Sequence, residues 1–416
     1  MAGSIGGVVT DKTQTYPMRF HNCKSYIIGF LLFTLLTQSC RNSVQTIAHS
    51  YHNAAPIYDS IQLAAQPDTL QFLLRDNTYN EVKSFNIFQG KGIYYISFYD
   101  QRSQSISIYY LLNQQPYLQI PLKKLFRDNQ LHKTSVFIKN WDSIFVINKS
   151  TLRLFDSSGH RKVKIEFPAE PEGNAAVFDS HKQPVLIGHT LYAISRNRVD
   201  YRSLNALRNW KVIYSFDLEK STTQLLYPLP RQYQESLYGD CLLEYNFCYN
   251  HLGKFVFSFP ADTLLYETNL VDYFHSYFAR SREQQTPIAP VPAPSLKKYE
   301  DELKEYAIRD SYGPVLFDPA NKYYLRLVRH KISPEDFQAK KSQQQTVLIF
   351  NEHFQIIGES AWPASVDFES LFFTPDGRLY ARTNFQNEYA LQFVRFTYHD
   401  NKGQPASLSG MHTPQK

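Results

Sequence analysis

One short pattern recurs about six times along the chain and constrains its fold more than any other feature: a turn residue followed by alternating aliphatic and aromatic residues. It reads Gly92-Ile-Tyr-Tyr-Ile, Asp142-Ser-Ile-Phe-Val-Ile, Gly188-His-Thr-Leu-Tyr-Ala-Ile, Gly253-Lys-Phe-Val-Phe, Asn321-Lys-Tyr-Tyr-Leu and Gly377-Arg-Leu-Tyr-Ala. A period of two places alternate side chains on opposite faces of a strand, and the leading turn residue marks entry through a tight hairpin. Asp376-Gly377 is the sharpest such signal.

A second pattern follows the first and ends in proline: SISIYYLLNQQPYLQIP, TLRLFDSSGHRKVKIEFP, KVIYSFDLEKSTTQLLYPLP and TVLIFNEHFQIIGESAWP. Each reads as strand, polar turn and strand. Pro121, Pro168, Pro230 and Pro363 stand where the outer strand must stop, because proline cannot donate to a ladder. Together the patterns form a unit of about 45 to 70 residues with three or four strands, the size of a propeller blade. Thirty Tyr and thirty Phe against 16 Gly suit pleated, half-buried surfaces. The expected fold is therefore all-β, a six-bladed β-propeller forming a single domain over residues 68–400. Five or seven blades, or an irregular β-sandwich, are the alternatives.

The amino-terminal region has a different character. From Met18 the chain reads MRFHNCKSYIIGFLLFTLLTQSC, with Arg19 and Lys24 before an apolar run and Ser39 before Cys40. These are the three regions of a secretory signal, and the run is shorter than the roughly 20 residues that span a bilayer. Residues 1–39 are read as the signal region, with Met18 as the expected true start. Cys40 is the expected lipidation site, simple secretion being the alternative, and residues 40–67 are expected to form a tether. Residues 401–416 read as a flexible tail. Of the remaining cysteines, Cys241 and Cys248 would point to opposite faces if they shared one strand, so two buried, unpaired thiols are expected.

Between Thr286 and Asp310 the repeat is interrupted by TPIAPVPAPSLKKYEDELKEYAIRD. Its first half reads as an extended loop and its second as a short charged helix capped by Ser295, lying over one face.

The segments DSIFVINKSTLRLFDSSG, ADTLLYETNLVDYFHSYFARS and SYGPVLFDPANKYYLRLVRH resemble a family of Bacteroidetes lipoproteins with a TolB-like, six-bladed propeller domain of unknown function. The resemblance runs from about Asp68 to Asp400. It implies a cell-envelope protein, an outer-membrane lipoprotein, and no catalytic residues to transfer. Arg41-Asn-Ser-Val-Gln-Thr carries no acidic residue after Cys40, which favours a periplasm-facing anchor. Asp59-Ser-Ile, Asp68-Thr-Leu, Asp142-Ser-Ile and Asp262-Thr-Leu resemble that phylum's O-glycosylation acceptor.

The common signatures of enzyme chemistry are absent from the sequence: no Gly-x-Ser-x-Gly, P-loop, His-Glu-x-x-His or dinucleotide fingerprint occurs. None of the thirteen histidines forms an i, i+4 pair and no Cys-x-x-Cys is present, so no metal or other cofactor is expected. A formal charge of +6 without any Lys/Arg run argues against nucleic acid as a partner. If the turn-led strands are innermost, Arg326 and Arg382 occupy matching places facing the central channel, where two guanidinium groups would favour a carboxylate or phosphate. Tyr324 and Tyr380 stand two residues before them and would stack on a sugar ring. The expected function is a non-enzymatic binding module, lipid-anchored to the membrane, presenting one propeller face to a peptide, a glycan or an envelope protein. An enzyme with a channel-end site and a structural component of an envelope complex are the alternatives.

Overall fold

The computed structural model describes residues 49–75, 78–80, 82–125, 134–167, 175–196, 200–383 and 386–405. Met18, Cys40 and most of the expected tail lie outside these residues. Six separate antiparallel sheets follow one another along the chain, each built on four hydrogen-bonded strands. This is a six-bladed β-propeller.

Blade 1 comprises Val82–Gly90, Ile93–Asp100, Ser105–Tyr110 and Pro116–Pro121, and blade 2 comprises Thr134–Asn140, Ser143–Asn148, Thr151–Phe155 and Arg161–Glu166. In blade 3 the first strand is split into Ala175–Val177 and Val185–Ile187, followed by Thr190–Arg196, Lys211–Asp217 and Thr222–Pro228. Blade 4 comprises Asn246–Tyr249, Phe255–Ser258, Leu264–Thr268 and Phe274–Phe278, and blade 5 comprises Ser311–Asp318, Tyr323–Arg329, Gln345–Phe350 and Ile356–Ala361. Blade 6 takes Val366–Phe373, Leu379–Thr383 and Ala390–Asp400, and completes itself with Ile61–Leu73 from the other end of the chain.

Each turn-led segment forms the second strand of a blade rather than the innermost one. The preceding strand lines the axis, and the turn residue makes the hairpin between the two. Lys91 and Gly92 both adopt positive φ (51° and 78°), the backbone that a two-residue hairpin needs to match strand twist. The proline-terminated segments form the third and fourth strands, as their sequence requires.

Adjacent inner strands are joined by asparagine amides that imitate a backbone pair. Asn86 donates to the Ile138 carbonyl (2.6 Å) and accepts from the Ile138 N–H (3.2 Å), linking blades 1 and 2. Asn246 does the same with Val315, donating at 3.3 Å and accepting at 3.0 Å, and links blades 4 and 5. Between blades the core is aromatic and aliphatic, with Phe72, Tyr109, Phe145, Phe216, Phe257 and Tyr324 among its fully buried members. Removing such side chains from water supplies most of the driving force for stacking the blades.

Among the described residues the chain already pairs with the blades from Ser50, so the tether expected over residues 40–67 is corrected for residues 50–67. Ser50–His52 adds a fifth, parallel strand to blade 4. The chain then runs along the outer strand of blade 5, where Ile57 N donates to Ile356 O (2.8 Å) and Glu359 N to Tyr58 O (2.9 Å). Ile61–Leu73 pairs antiparallel with Ala390–Asp400 and closes the ring. Residues 50–73 are thus a strap across the rims of blades 4, 5 and 6. Weak periodicity concealed it, because these strands sit at the rim with many side chains exposed.

The helix of the insertion spans Tyr299–Ala307, with Lys298 at its N-cap and no side-chain capping bond. Ser295 lies instead in the one-turn 3-10 segment Ala293–Lys297 and donates to Glu305 Oε1 (3.0 Å). Cys241 and Cys248 occupy different elements, the turn Cys241–Leu243 and the strand Asn246–Tyr249, and both thiols are free and half-buried.

Candidate binding site at the charged mouth of the channel

The split in the inner strand of blade 3 creates the site. Val177 pairs with Ile194 and Val185 with Tyr192, so Ala193 faces a gap that a regular strand would fill with one residue. Seven residues, Phe178 to Pro184, occupy it. They leave the sheet and cross the axis. Gln183 Nε2 donates to Phe85 O of blade 1 (3.0 Å), while Asn246 of blade 4 donates to His181 O (3.1 Å). The loop divides the channel, with Asp179, His181 and Lys182 lining one end and Gln183 and Pro184 the other.

The end holding Asp179, His181 and Lys182 is a cavity of about 350 Å³, walled also by Arg196, Glu244, Arg329 and Glu369 and by Tyr306 from the insertion. Its charged side chains form one alternating chain. Arg196 meets Glu244 at 2.6 Å, Glu244 meets Lys182 at 2.7 Å, and Lys182 lies 3.9 Å from Asp179. His181 Nδ1 continues the chain, 3.4 Å from Asp179 and 3.7 Å from Glu369, and Glu369 meets Arg329 at 3.0 Å. Four blades contribute: 3, 4, 5 and 6. Among the described residues neither His181 Nδ1 nor Asp179 Oδ1 makes a hydrogen bond.

The electrostatics follow from burial and pairing. Burial alone would lower the Lys182 ammonium, but the Asp179 and Glu244 carboxylates outweigh it and hold its pKa above the usual lysine value. Burial would likewise raise Glu244, yet Lys182 and Arg196 bring it below the ordinary carboxylate range. At the rim the balance tips the other way: burial, reinforced by Glu244, raises Asp240, and burial, reinforced by Glu369, raises Asp367. Burial pushes the Cys241 thiol up to about 11, with Glu302 and Asp240 adding to it, so the thiol in this cavity is protonated and unreactive.

The residues expected to face the channel lie elsewhere. Arg326 is fully buried between blades 4 and 5. It donates to Ser258 Oγ (2.9 Å) and to the carbonyls of Ala279 (3.1 Å), Phe259 (3.2 Å) and Asp262 (2.7 Å), with its guanidinium 3.9 Å from the Tyr312 ring centre. Tyr324 is also fully buried, stacked on Phe354 at 4.4 Å and accepting a hydrogen bond from Asn250 (2.9 Å). Arg382 donates to the Asn80 carbonyl and side chain at the junction of blades 6 and 1. Tyr380 is buried against Phe372 with centroids 5.8 Å apart. These four do not converge, because second strands face neighbouring blades rather than the axis. Asp262, in one of the glycosylation-like tripeptides, is buried and accepts from Tyr266 (2.5 Å). Of the residues that do converge, Asp179, His181 and Lys182 sit in FDSHKQPVLI, where charged residues and Pro184 interrupt the apolar alternation before the third turn-led strand; Arg196, Glu244, Arg329 and Glu369 come from elsewhere in the chain. That interruption was the available signal.

Fold and site together define a six-bladed β-propeller whose channel is plugged by a loop and ends in a charged mouth. The chain belongs to the family described as a domain of unknown function, DUF4221, which matches it over residues 60–361. A crystal structure of a DUF4221 member from Bacteroides vulgatus is similar, with 21% identity, a TM-score of 0.67, and coverage of 82% of this chain and 99% of that one. A putative exported protein from Bacteroides fragilis matches at 10% identity and a TM-score of 0.49, covering 83% of this chain and 98% of that chain. Regucalcin, a calcium-binding protein from Agrobacterium tumefaciens, matches at 10% identity and a TM-score of 0.43, covering 82% and 95%. No curated protein sequence matches the chain.

Proposed function

We propose that this chain is a ligand-binding module of the cell envelope, anchored through a lipidated Cys40 to the outer membrane on its periplasmic side, and that the charged mouth takes a small polar ligand bearing both signs of charge. The observation that carries this reading is the alternating ion-pair chain around a 350 Å³ cavity. With three cations and three carboxylates balanced around His181, the mouth offers complementary partners to a zwitterion rather than to a simple anion. A free amino acid or short peptide is the smallest ligand of that kind.

Thermal-shift titration of the purified protein with L-amino acids and dipeptides tests the reading. Saturation to about 100 times Kd stabilises the native state by about 2.7 kcal/mol, a readily measured rise in Tm. The shift should vanish in Arg329→Met, which removes one end of the chain. No shift with any zwitterion would sink the proposal. Anchoring is tested separately, by palmitate labelling that Cys40→Ser abolishes.

The raised Asp240 and Asp367 carboxyls favour a second reading, a hydrolase, since a carboxyl whose pKa is raised holds its proton to higher pH and is the better candidate for a proton donor. Release of free amino acids from a bound dipeptide, lost in Asp240→Asn, would support it over simple binding.

A further inference from the structure

The opposite end of the channel is larger and chemically different. A hollow of about 870 Å³ opens on the face that carries the hairpins between first and second strands, walled by the inner strands or hairpins of blades 1, 2, 3, 5 and 6. A second hollow of about 480 Å³ lies at the seam of blades 6 and 1. Tyr94, Thr374 and Pro375 line both, so the two adjoin as the two lobes of a groove.

The lining is aromatic and amide-rich. Phe137 and Phe373, both partly exposed, flank the axial hollow, with Gln89, Asn140 and Gln183 between them, while Phe88 borders it from the core, packed on Tyr95 and Trp141. Among the described residues, the Asn140, Gln183 and Gln114 amides are held at one end only. Asn140 Oδ1 accepts from Asp142 N (2.9 Å), which leaves its NH₂ group for a ligand. Gln183 donates to Phe85 O (3.0 Å) and Gln114 to Leu112 O (2.6 Å), which leaves their carbonyl oxygens. Charge plays little part: Arg378 and Asp376 close on each other at 2.8 Å, and Lys139 stands at the rim.

We propose that this groove is a second binding site, for a neutral oligosaccharide. Aromatic faces offer apolar surface to the C–H faces of sugar rings, and side-chain amides donate and accept as sugar hydroxyls do. Each hollow lies within the volume range of sites that enclose small ligands, and the adjoining pair together has room for about two to four rings. An anionic sugar meets only Lys139 and the Asp376 carboxylate beside Arg378, so neutral chains bind better. The site is independent of the charged mouth, from which the Phe178–Pro184 loop separates it.

The test is saturation-transfer NMR with maltotetraose, cellotetraose and mannotetraose, and with tetragalacturonate as the anionic probe. At least one neutral tetrasaccharide should bind with Kd in the millimolar range or tighter, and Tyr94→Ala should weaken it about tenfold, a loss of about 1.4 kcal/mol. Gln89→Ala, at an exposed position, is the companion variant that leaves the fold intact and should weaken binding as well. Arg329→Met at the mouth should leave sugar binding unchanged, which separates failure of this site from failure of the other. The proposal is overturned if none of the three neutral sugars binds below about 10 mM, if the anionic sugar binds more tightly, or if binding survives both groove variants.

Discussion

Arg326 is the residue whose setting differs most from what its position in the repeat suggests. Its donors satisfy three carbonyls and one hydroxyl inside the seam of blades 4 and 5, and burial draws its own pKa down to about 10 even though Tyr312 and Asp262 oppose that shift. Arg326→Met leaves those acceptors unpaired in a dry seam. The expected loss is about 3–5 kcal/mol in urea unfolding, and Arg326→Lys should not restore it, since an ammonium lacks the planar fork. The Lys182 and Glu244 pair behaves differently with pH. Glu244 is held down, so its contribution is present above the unfolded carboxylate value of about 4.3 and is lost as pH falls through its lower folded value. Lys182 is held up, so its contribution is present below about 10.4 and is lost as pH rises through its higher folded value. The stability gap between the native protein and a Lys182→Met, Glu244→Gln double variant should therefore be widest between these limits and narrow progressively as pH falls below about 4.3. Asp240 and Asp367, held up by burial, act in the opposite sense and favour the folded state as pH falls.

Among the elements, the strap and the plug loop decide most. The strap passes so close to blade 5 that a Cβ on Gly358 would stand 2.0 Å from the Ile61 carbonyl oxygen. Gly358→Ala must therefore push the strap outward. A loss of about 1–3 kcal/mol is expected, with faster amide exchange at Ile57 and Leu63 while blades 1 and 2 keep their protection. Arg282 adds a polar clip, donating to Tyr58 O (3.0 Å) and to Asp59 Oδ1 (2.7 Å). The plug loop is held from three blades, yet only its seven-residue length lets it reach them. A regular strand there would have left the channel open and the charged chain without its centre.

Ring closure is the property of the whole molecule. With Ile61–Leu73 in place, blade 6 has its fourth strand and the ring is held by pairing between distant parts of the chain. Deleting residues 1–73 leaves the edge of Ala390–Asp400 unpaired, and edges of that kind recruit other chains. The expected outcome is loss of a single cooperative transition in calorimetry together with aggregation on gel filtration. Deleting residues 1–48, which precede the described strands, should leave Tm within a few degrees of the full chain.

Repetition of the turn-led and proline-terminated segments determined most strands and their hairpin pairing within the blades and pointed to six blades, with five or seven as alternatives, because hairpin pairing is local and written in a period of two. Tertiary structure alone decided which strand of each blade faces the axis, since all the buried strands carry similar apolar alternation and only stacking around the ring distinguishes them. For that reason Arg326, Arg382, Tyr324 and Tyr380 were legible as strand residues but not as seam residues. The strap was invisible for a related reason: its partners lie as far as 339 positions away in the numbering, from Ile61 to Asp400, and no local pattern encodes a pairing of that separation. The charged mouth needed both levels. Its loop shows in the sequence as a break in alternation, while the ion pairs exist only because the ring brings blades 3, 4, 5 and 6 around one axis.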